Sequence, residues 1–291
     1  MKSNWMCPVC KCSLLQSASG FSCINGHQYD RAKYNYVNLL LANQKKSKEP
    51  GDSKAMINAR HTFLQSGAYE ILADRLRTLV KSYLNDLSQT SGASASLLTC
   101  HSFNLLDAAC GEGYYSAYIK EKLEREYPLT ISGVDISKFA ITKAAKTYKL
   151  NSYAVASTYN LTLETHSQDI VLQVFGPSDA KEIARILKPG GLWLEVMPGE
   201  SHLEELKAFV YEKSLKHEPR TDEIQGFSNA QIHDLAFDVS LPNTDLRHAL
   251  LTMTPFLYRI SDENKQQLLQ RLNKVHAHFT LCLRHSQTQA C

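Results

Sequence analysis

With 291 residues, 43% of them hydrophobic and 21% charged, the chain has a globular composition and room for one full α/β domain and a smaller companion. Its apolar runs are too short to cross a bilayer and its opening carries no apolar signal segment, which argues against membrane insertion and secretion and for a reducing, cytoplasmic setting. The net charge of +3 hides an asymmetry: residues 1–60 hold nine Lys/Arg against three Asp/Glu, so a polyanionic partner is expected at that end.

The first element is a metal site. Cys7-Pro-Val-Cys10, then Cys23 and His27, have the spacing of a structural zinc ribbon, with two ligands on each of two tight knuckles. Four protein ligands close the coordination shell, which favours structure over catalysis. Residues 1–30 offer few large apolar side chains, so metal binding is expected to fold them. Cys12 is too close to Cys10 to share the ion and reads as a free thiol. Cys100, Cys110, Cys282 and Cys291 read as packing or surface thiols.

Three units are expected: a zinc module over 1–40, a basic linker and helical connector over 41–101, and a catalytic domain over 102–291. In the second, residues 44–53 are polar, basic and broken by Pro50-Gly51, an exposed loop. Asp52 or Ser53 then caps a helix through about Leu64 that Gly67 ends. Apolar residues at helical spacing predict a second helix over 68–87, and the Ser/Thr/Gly/Ala stretch 88–101 reads as a surface insertion.

From Phe103 the pattern alternates: strands at 103–107, 129–135, 151–156, 169–175 and 191–197, with helices at 113–127, 137–148, 178–188 and 201–215. Phe237–Leu241 and His276–Leu283 would complete seven strands. Such alternation predicts a parallel sheet covered by helices on both faces.

The cofactor is read from the first turn of that sheet. Asp107-Ala-Ala-Cys-Gly-Glu-Gly113 follows an apolar strand, and Asp135 closes the next one. Carboxyl ends of adjacent parallel strands are where such sheets bind small cofactors. A dinucleotide would want a third glycine where Ser116 stands, so a pyrophosphate ligand is disfavoured. Acids at Asp107 and Asp135 around Gly111, Glu112 and Gly113 suit a cationic ligand with a ribose and no phosphate: S-adenosylmethionine.

The Cys7…His27-Gln-Tyr-Asp30 opening, Tyr36-Val-Asn-Leu-Leu, Pro50-Gly-Asp-Ser53, Cys110-Gly-Glu-Gly-Tyr-Tyr115 and Met253-Thr-Pro-Phe256 together closely resemble the bacterial 23S ribosomal RNA guanine-N1-methyltransferases. The resemblance runs through nearly the whole chain. It implies a Rossmann-like class I methyltransferase sheet with an N-terminal zinc ribbon that helps bind RNA, and a homodimer. It further implies that Tyr69, Glu112 with Gly113, and His202 meet the cofactor, and that the target is guanine 745 or its neighbourhood in a hairpin loop. One departure stands out: Ala108-Ala109 occupies a place where Ile-Gly is common.

On this reading Arg31, Lys33, Lys45, Lys46 and Lys48 neutralise RNA phosphates, and Phe175 of Phe175-Gly-Pro177 stacks on the target base. The N1 proton needs an acceptor, for which Asp179 and Glu200 are candidates by location only. Three alternatives stay open: methylation of a neighbouring guanine linked to macrolide resistance, a non-catalytic ribosomal-RNA assembly protein, and a dinucleotide oxidoreductase.

Overall fold

The computed structural model describes residues 2–45, 47–90, 102–149, 151–211 and 222–287. Two sheets organise it. A small antiparallel sheet joins β1 (Lys2–Met6), β2 (Ser13–Gln16), β3 (Gly20–Ser22) and β4 (Gln28–Asp30) in sequence order. The large sheet comprises β5 (Val37–Asn38), β6 (Phe103–Ala108), β7 (Leu129–Asp135), β8 (Ser152–Val155), β9 (Gln168–Val174), β10 (Leu187–Pro198), β11 (Gln231–Ser240) and β12 (Lys274–His285). Its order is β11-β12-β10-β9-β6-β7-β8-β5.

Period-two alternation divides the side chains of the large sheet between its two faces. Leu105, Ile170, Leu172, Leu192 and Leu194 pack with Phe63, Leu76, Ile119 and Leu123 from helices Lys54–Gln65, Glu70–Thr90 and Tyr114–Leu123. Leu106, Val171 and Trp193 point the other way, onto Ile183 and Ile186 of helix Ala180–Ile186 and onto Trp5, Leu14 and Phe21 of the small sheet. Trp5 is 1% exposed and donates its indole N–H to Ser152 Oγ at 3.1 Å.

Several expectations need correction. The described sheet has eight strands rather than seven, because the two-residue β5 pairs parallel with β8, a contact too short to leave a pattern in sequence. The sheet is mixed: β12 runs antiparallel to both β10 and β11. The helix expected over 201–215 shrinks to Glu204–Lys207, since Leu203 takes φ +56° and blocks an earlier start. Single turns continue it to Tyr211, and 212–221 lie outside the described residues. Two helices, Thr244–Thr252 and Asp262–Arg271, stand between β11 and β12 with a 3-10 turn at Pro255–Tyr258. Of the insertion expected at 88–101, residues 88–90 finish helix Glu70–Thr90, and 91–101 lie outside the described residues.

Candidate active site

Where β6 ends, the chain turns through Ala109 (φ +60°), Gly111 (+55°) and Gly113 (+81°) into helix Tyr114–Leu123. A side chain at Gly113 would meet the Tyr153 hydroxyl at 2.6 Å, so the tight turn needs glycine there. Asp135, at the end of β7, accepts the Gly111 N–H at 2.9 Å and the Ser137 N–H at 2.7 Å, fastening the two strand-end loops together.

Two buried carboxyls, Asp107 and Glu112, and a half-buried one, Asp135, result. Asp107 accepts the Ser116 hydroxyl at 2.5 Å, and burial pushes its acid up to about 7 against the opposing pull of that hydrogen bond. Burial likewise raises Asp135. Glu112, 1% exposed, is pushed up to about 7 by burial, which outweighs the nearby charges of Lys143 and Arg60. Its Oε2 lies 2.5 Å from His61 Nδ1, and its Oε1 has no hydrogen-bond partner. Burial also lowers His61, so both partners favour their uncharged forms.

These groups open onto a cavity of about 800 Å³. Its second wall is the Pro50-Gly-Asp-Ser53 turn and helix Lys54–Gln65: Arg60 Nη1 pairs with Asp52 Oδ2 at 2.6 Å and Nη2 donates to the Met253 carbonyl at 3.4 Å. The far end is aromatic. Phe175 is 43% exposed, holds φ +57°, and lies 5.9 Å from the His202 ring and 5.7 Å from Phe279. Gln173 steadies this turn by donating to the Gly176 carbonyl at 2.5 Å, while its own carbonyl accepts from Ser178 at 2.7 Å and Trp193 at 3.2 Å.

Of the seven residues expected to meet a cofactor, Tyr69, Asp107, Gly111, Glu112, Asp135 and His202 line this one cavity. Gly113 lies behind them against Tyr153. Tyr69 is buried edge-on to Phe63 and Phe279 with its hydroxyl unpartnered. His202 Nδ1 accepts the His278 N–H at 3.2 Å, which puts the ring proton of the neutral form on Nε2. Asp179 and Glu200, the two proton-acceptor candidates, do not line the cavity; Asp179 caps helix Ala180–Ile186 instead.

Sequence reasoning missed Asp52, Arg60, Lys207 and Arg259, which line the cavity, and His61, which contacts Glu112. A signal was present, because Pro50-Gly-Asp-Ser53 and Met253-Thr-Pro-Phe256 carried the resemblance and both flank this space.

In the loops of the small sheet the donor atoms of Cys7, Cys10, Cys23 and His27 all lie within 4.8 Å of one another. Three thiolates and an imidazole at that separation match a tetrahedral ion with metal–ligand bonds of roughly 2.0–2.3 Å. Cys12 stays outside the group, its thiol 3.6 Å from Asn25 Nδ2. Among the basic candidates, Lys33, Lys45 and Lys48 are exposed. Arg31 is spent locally on the Ser17 carbonyl and the Phe21 ring, and Lys46 lies outside the described residues.

A family model described as RlmA, N-terminal, matches residues 5–48, and one described as a methyltransferase domain matches 105–191. A putative 23S rRNA (guanine-N(1)-)-methyltransferase of Micromonospora griseorubida is 30% identical over 205 residues, covering 69% of this chain and 67% of that one. The chain belongs to the 23S rRNA (guanine-N1-)-methyltransferase family. Another member, the 23S rRNA (guanine(748)-N(1))-methyltransferase of Streptomyces fradiae, is 35% identical over 69% of this chain; the match spans 65% of that protein, slightly less than two thirds. The putative family member YxjB of Bacillus subtilis is 29% identical over 88% of this chain and 87% of its own. A solved putative methyltransferase of Bacillus halodurans aligns at a TM-score of 0.44 and 14% identity over 70% of this chain and 99% of that one. Among the described residues no helix is long and apolar enough to cross a membrane.

Proposed function

We propose that this protein transfers a methyl group from S-adenosylmethionine to N1 of a guanine in a 23S ribosomal RNA hairpin loop, at 745 or a near neighbour. The Streptomyces fradiae relative named for position 748 supports the neighbourhood. The observation that carries the reading is one cavity lined by the buried carboxyls Asp107 and Glu112, by Asp135 at the end of β7, and by the exposed aromatic ring of Phe175.

The cavity fits the donor. Its volume lies within the roughly 300–1,000 Å³ common for ligand sites. The partnerless Glu112 Oε1 is an acceptor awaiting a donor such as an amino-acid ammonium. Asp107 and Glu112 would hold that cationic end, Asp135 the ribose hydroxyls, and Tyr69 and His202 the far flank. When bound, S-adenosylmethionine supplies a methyl already activated by its sulfonium. The chain's own work is then positioning: Phe175 stacks the base and the walls exclude water, an effect worth up to ~7–11 kcal/mol.

Zn²⁺ would be held by Cys7, Cys10, Cys23 and His27 as a structural ion. RNA would be gripped through Lys33, Lys45, Lys46 and Lys48, with a smaller part for Arg31. The same reading includes a homodimer working in the cytoplasm. Mass mapping of ribosomal RNA from cells lacking the protein tests it: one N1-methylguanine is expected to disappear, and an unchanged modification map overturns the proposal.

A further inference from the structure

Lys207 closes helix Glu204–Lys207 and lines the same cavity as Phe175, His202, Tyr211 and Arg259. It is 3% exposed, and its amine has no hydrogen-bond partner. A buried ammonium without a partner is costly, so a fold that retains this one holds it neutral or reserves it for a ligand. The surrounding geometry says which ligand. Lys207 comes five residues after His202, whose ring lies 5.9 Å from Phe175 and 4.9 Å from Phe279, so its helix adjoins the aromatic residues of the cavity. Asp179 and Glu200, the acids considered from sequence, are absent from that lining.

We propose that Lys207 meets the N1–O6 edge of the target guanine and accepts the N1 proton during transfer. This rests on the methyltransferase reading above. The N1–H bond breaks and its proton passes to the lone pair of Nζ. The electron pair left on N1 forms the bond to the methyl carbon while the carbon–sulfur bond breaks, its pair going to sulfur to give a thioether. The positive charge that begins on sulfur ends on the Lys207 ammonium, which then donates to O6 of the product. Burial lowers the pKa of Lys207 from the ordinary lysine range, opposed by Glu204, which raises the share of neutral amine. Other titratable groups near it are His202 before the helix, Tyr211 after it, Arg259, which donates to the Tyr211 hydroxyl at 2.9 Å, and His276 and His278 on β12, against which the helix packs.

The test compares wild type with Lys207→Met and Lys207→Arg in the full zinc-loaded protein. Three quantities are measured: thermal stability, calorimetric affinity for S-adenosylhomocysteine, and the single-turnover rate on a 23S hairpin transcript from pH 6 to 9. Both variants are expected to fold, Lys207→Met with a Tm at or above wild type, and to bind S-adenosylhomocysteine within about threefold. Both should lose roughly 10²–10⁴-fold in rate, the span of general-base catalysis. Their residual rate should climb tenfold per pH unit where the wild type levels off. A wild-type pH profile in either variant, or a rate within tenfold of wild type, overturns the assignment. So does a Lys207→Met protein that melts early or fails to fold, because the amine then has a structural partner. A wild-type protein that methylates no 23S transcript sinks the functional reading itself, a result distinguishable from all of these.

Discussion

Ala109 and Gly176 stand back to back between the β6 and β9 turns: a Cβ built on Gly176 would lie 2.2 Å from the Ala109 methyl. Ala109 is held at φ +60°, a conformation that costs an L-residue roughly 1–2 kcal/mol. The alanine noted from sequence as a departure is therefore accommodated, its extra methyl taking room that only a glycine opposite can leave. Gly176→Ala should displace Phe175 and cut methyl transfer at least tenfold. Ala109→Gly should be neutral or stabilise by up to about 1 kcal/mol, since relief of the left-handed strain exceeds the added chain entropy of glycine. Thermal melts and transfer assays check both; a fully active Gly176→Ala protein would contradict the contact.

Glu112, with an acid pushed up to about 7, makes binding of a cationic ligand pH-dependent. Below that value the carboxyl is protonated and an ammonium finds no counter-charge. Affinity for S-adenosylhomocysteine should rise several-fold between pH 6 and 8, and Glu112→Gln should flatten the rise and weaken binding at pH 8. Calorimetry at both pH values decides it, and an unchanged slope in Glu112→Gln would count against the role.

Asp107 shapes stability in the absence of ligand. Its folded acid titrates near 7 against an ordinary 3.8, so between those values the folded chain keeps a proton that the unfolded chain releases. The contribution is complete below about pH 4 and is lost as pH rises through about 7. Asp107→Asn should remove this part of the slope. Denaturant melts of the ligand-free protein at pH 5 and pH 7.5 measure it, and parallel curves for the two proteins would be the contrary result.

The metal site is tied to the main core through Trp5, so loss of zinc should be felt there. Cys10→Ser, or chelation, should red-shift tryptophan emission as Trp5 gains water. Each ~1 kcal/mol lost should lower Tm by roughly 2–4 °C in a chain of this size. Elemental analysis should find one zinc per chain in the wild type; a metal-free protein with an unshifted spectrum would refute the site.

Replacing Lys45, Lys46 and Lys48 together by Ala should weaken hairpin binding and leave S-adenosylhomocysteine affinity unchanged. The log–log salt slope should fall by about 0.7 per phosphate contact removed. Unaltered RNA affinity would release these lysines from the role.

Much of this was legible because local rules and the global fold agree. Ser53 caps its helix, accepting the Met56 N–H at 3.3 Å, and Asp107 and Asp135 end adjacent parallel strands. The gathering of Cys7, Cys10, Cys23 and His27 was readable because spacing alone limits which knuckles can close on one point. What escaped was non-local. Arg60 and His61 look like ordinary helix positions until Asp52, Met253 and Glu112 are brought against them from 8, 193 and 51 residues away in the chain. Lys207 sits on a short helix whose start is set by the left-handed Leu203, and no periodicity announces such a residue. The long β12 pairs along its length with β10 and β11, so its extent depends on partners the linear pattern does not name.

Trp5, Leu14 and Phe21 share a core with Leu106 and Val171, and β5 is stitched to the rim of the large sheet. The amino-terminal piece is therefore bolted on rather than tethered, and in the proposed function it would act as a fixed ruler. On the proposed reading, an RNA held there would present one nucleotide to Phe175 according to its own stem length, so inserting a single base pair into the stem should shift the mark to a different base or erase it.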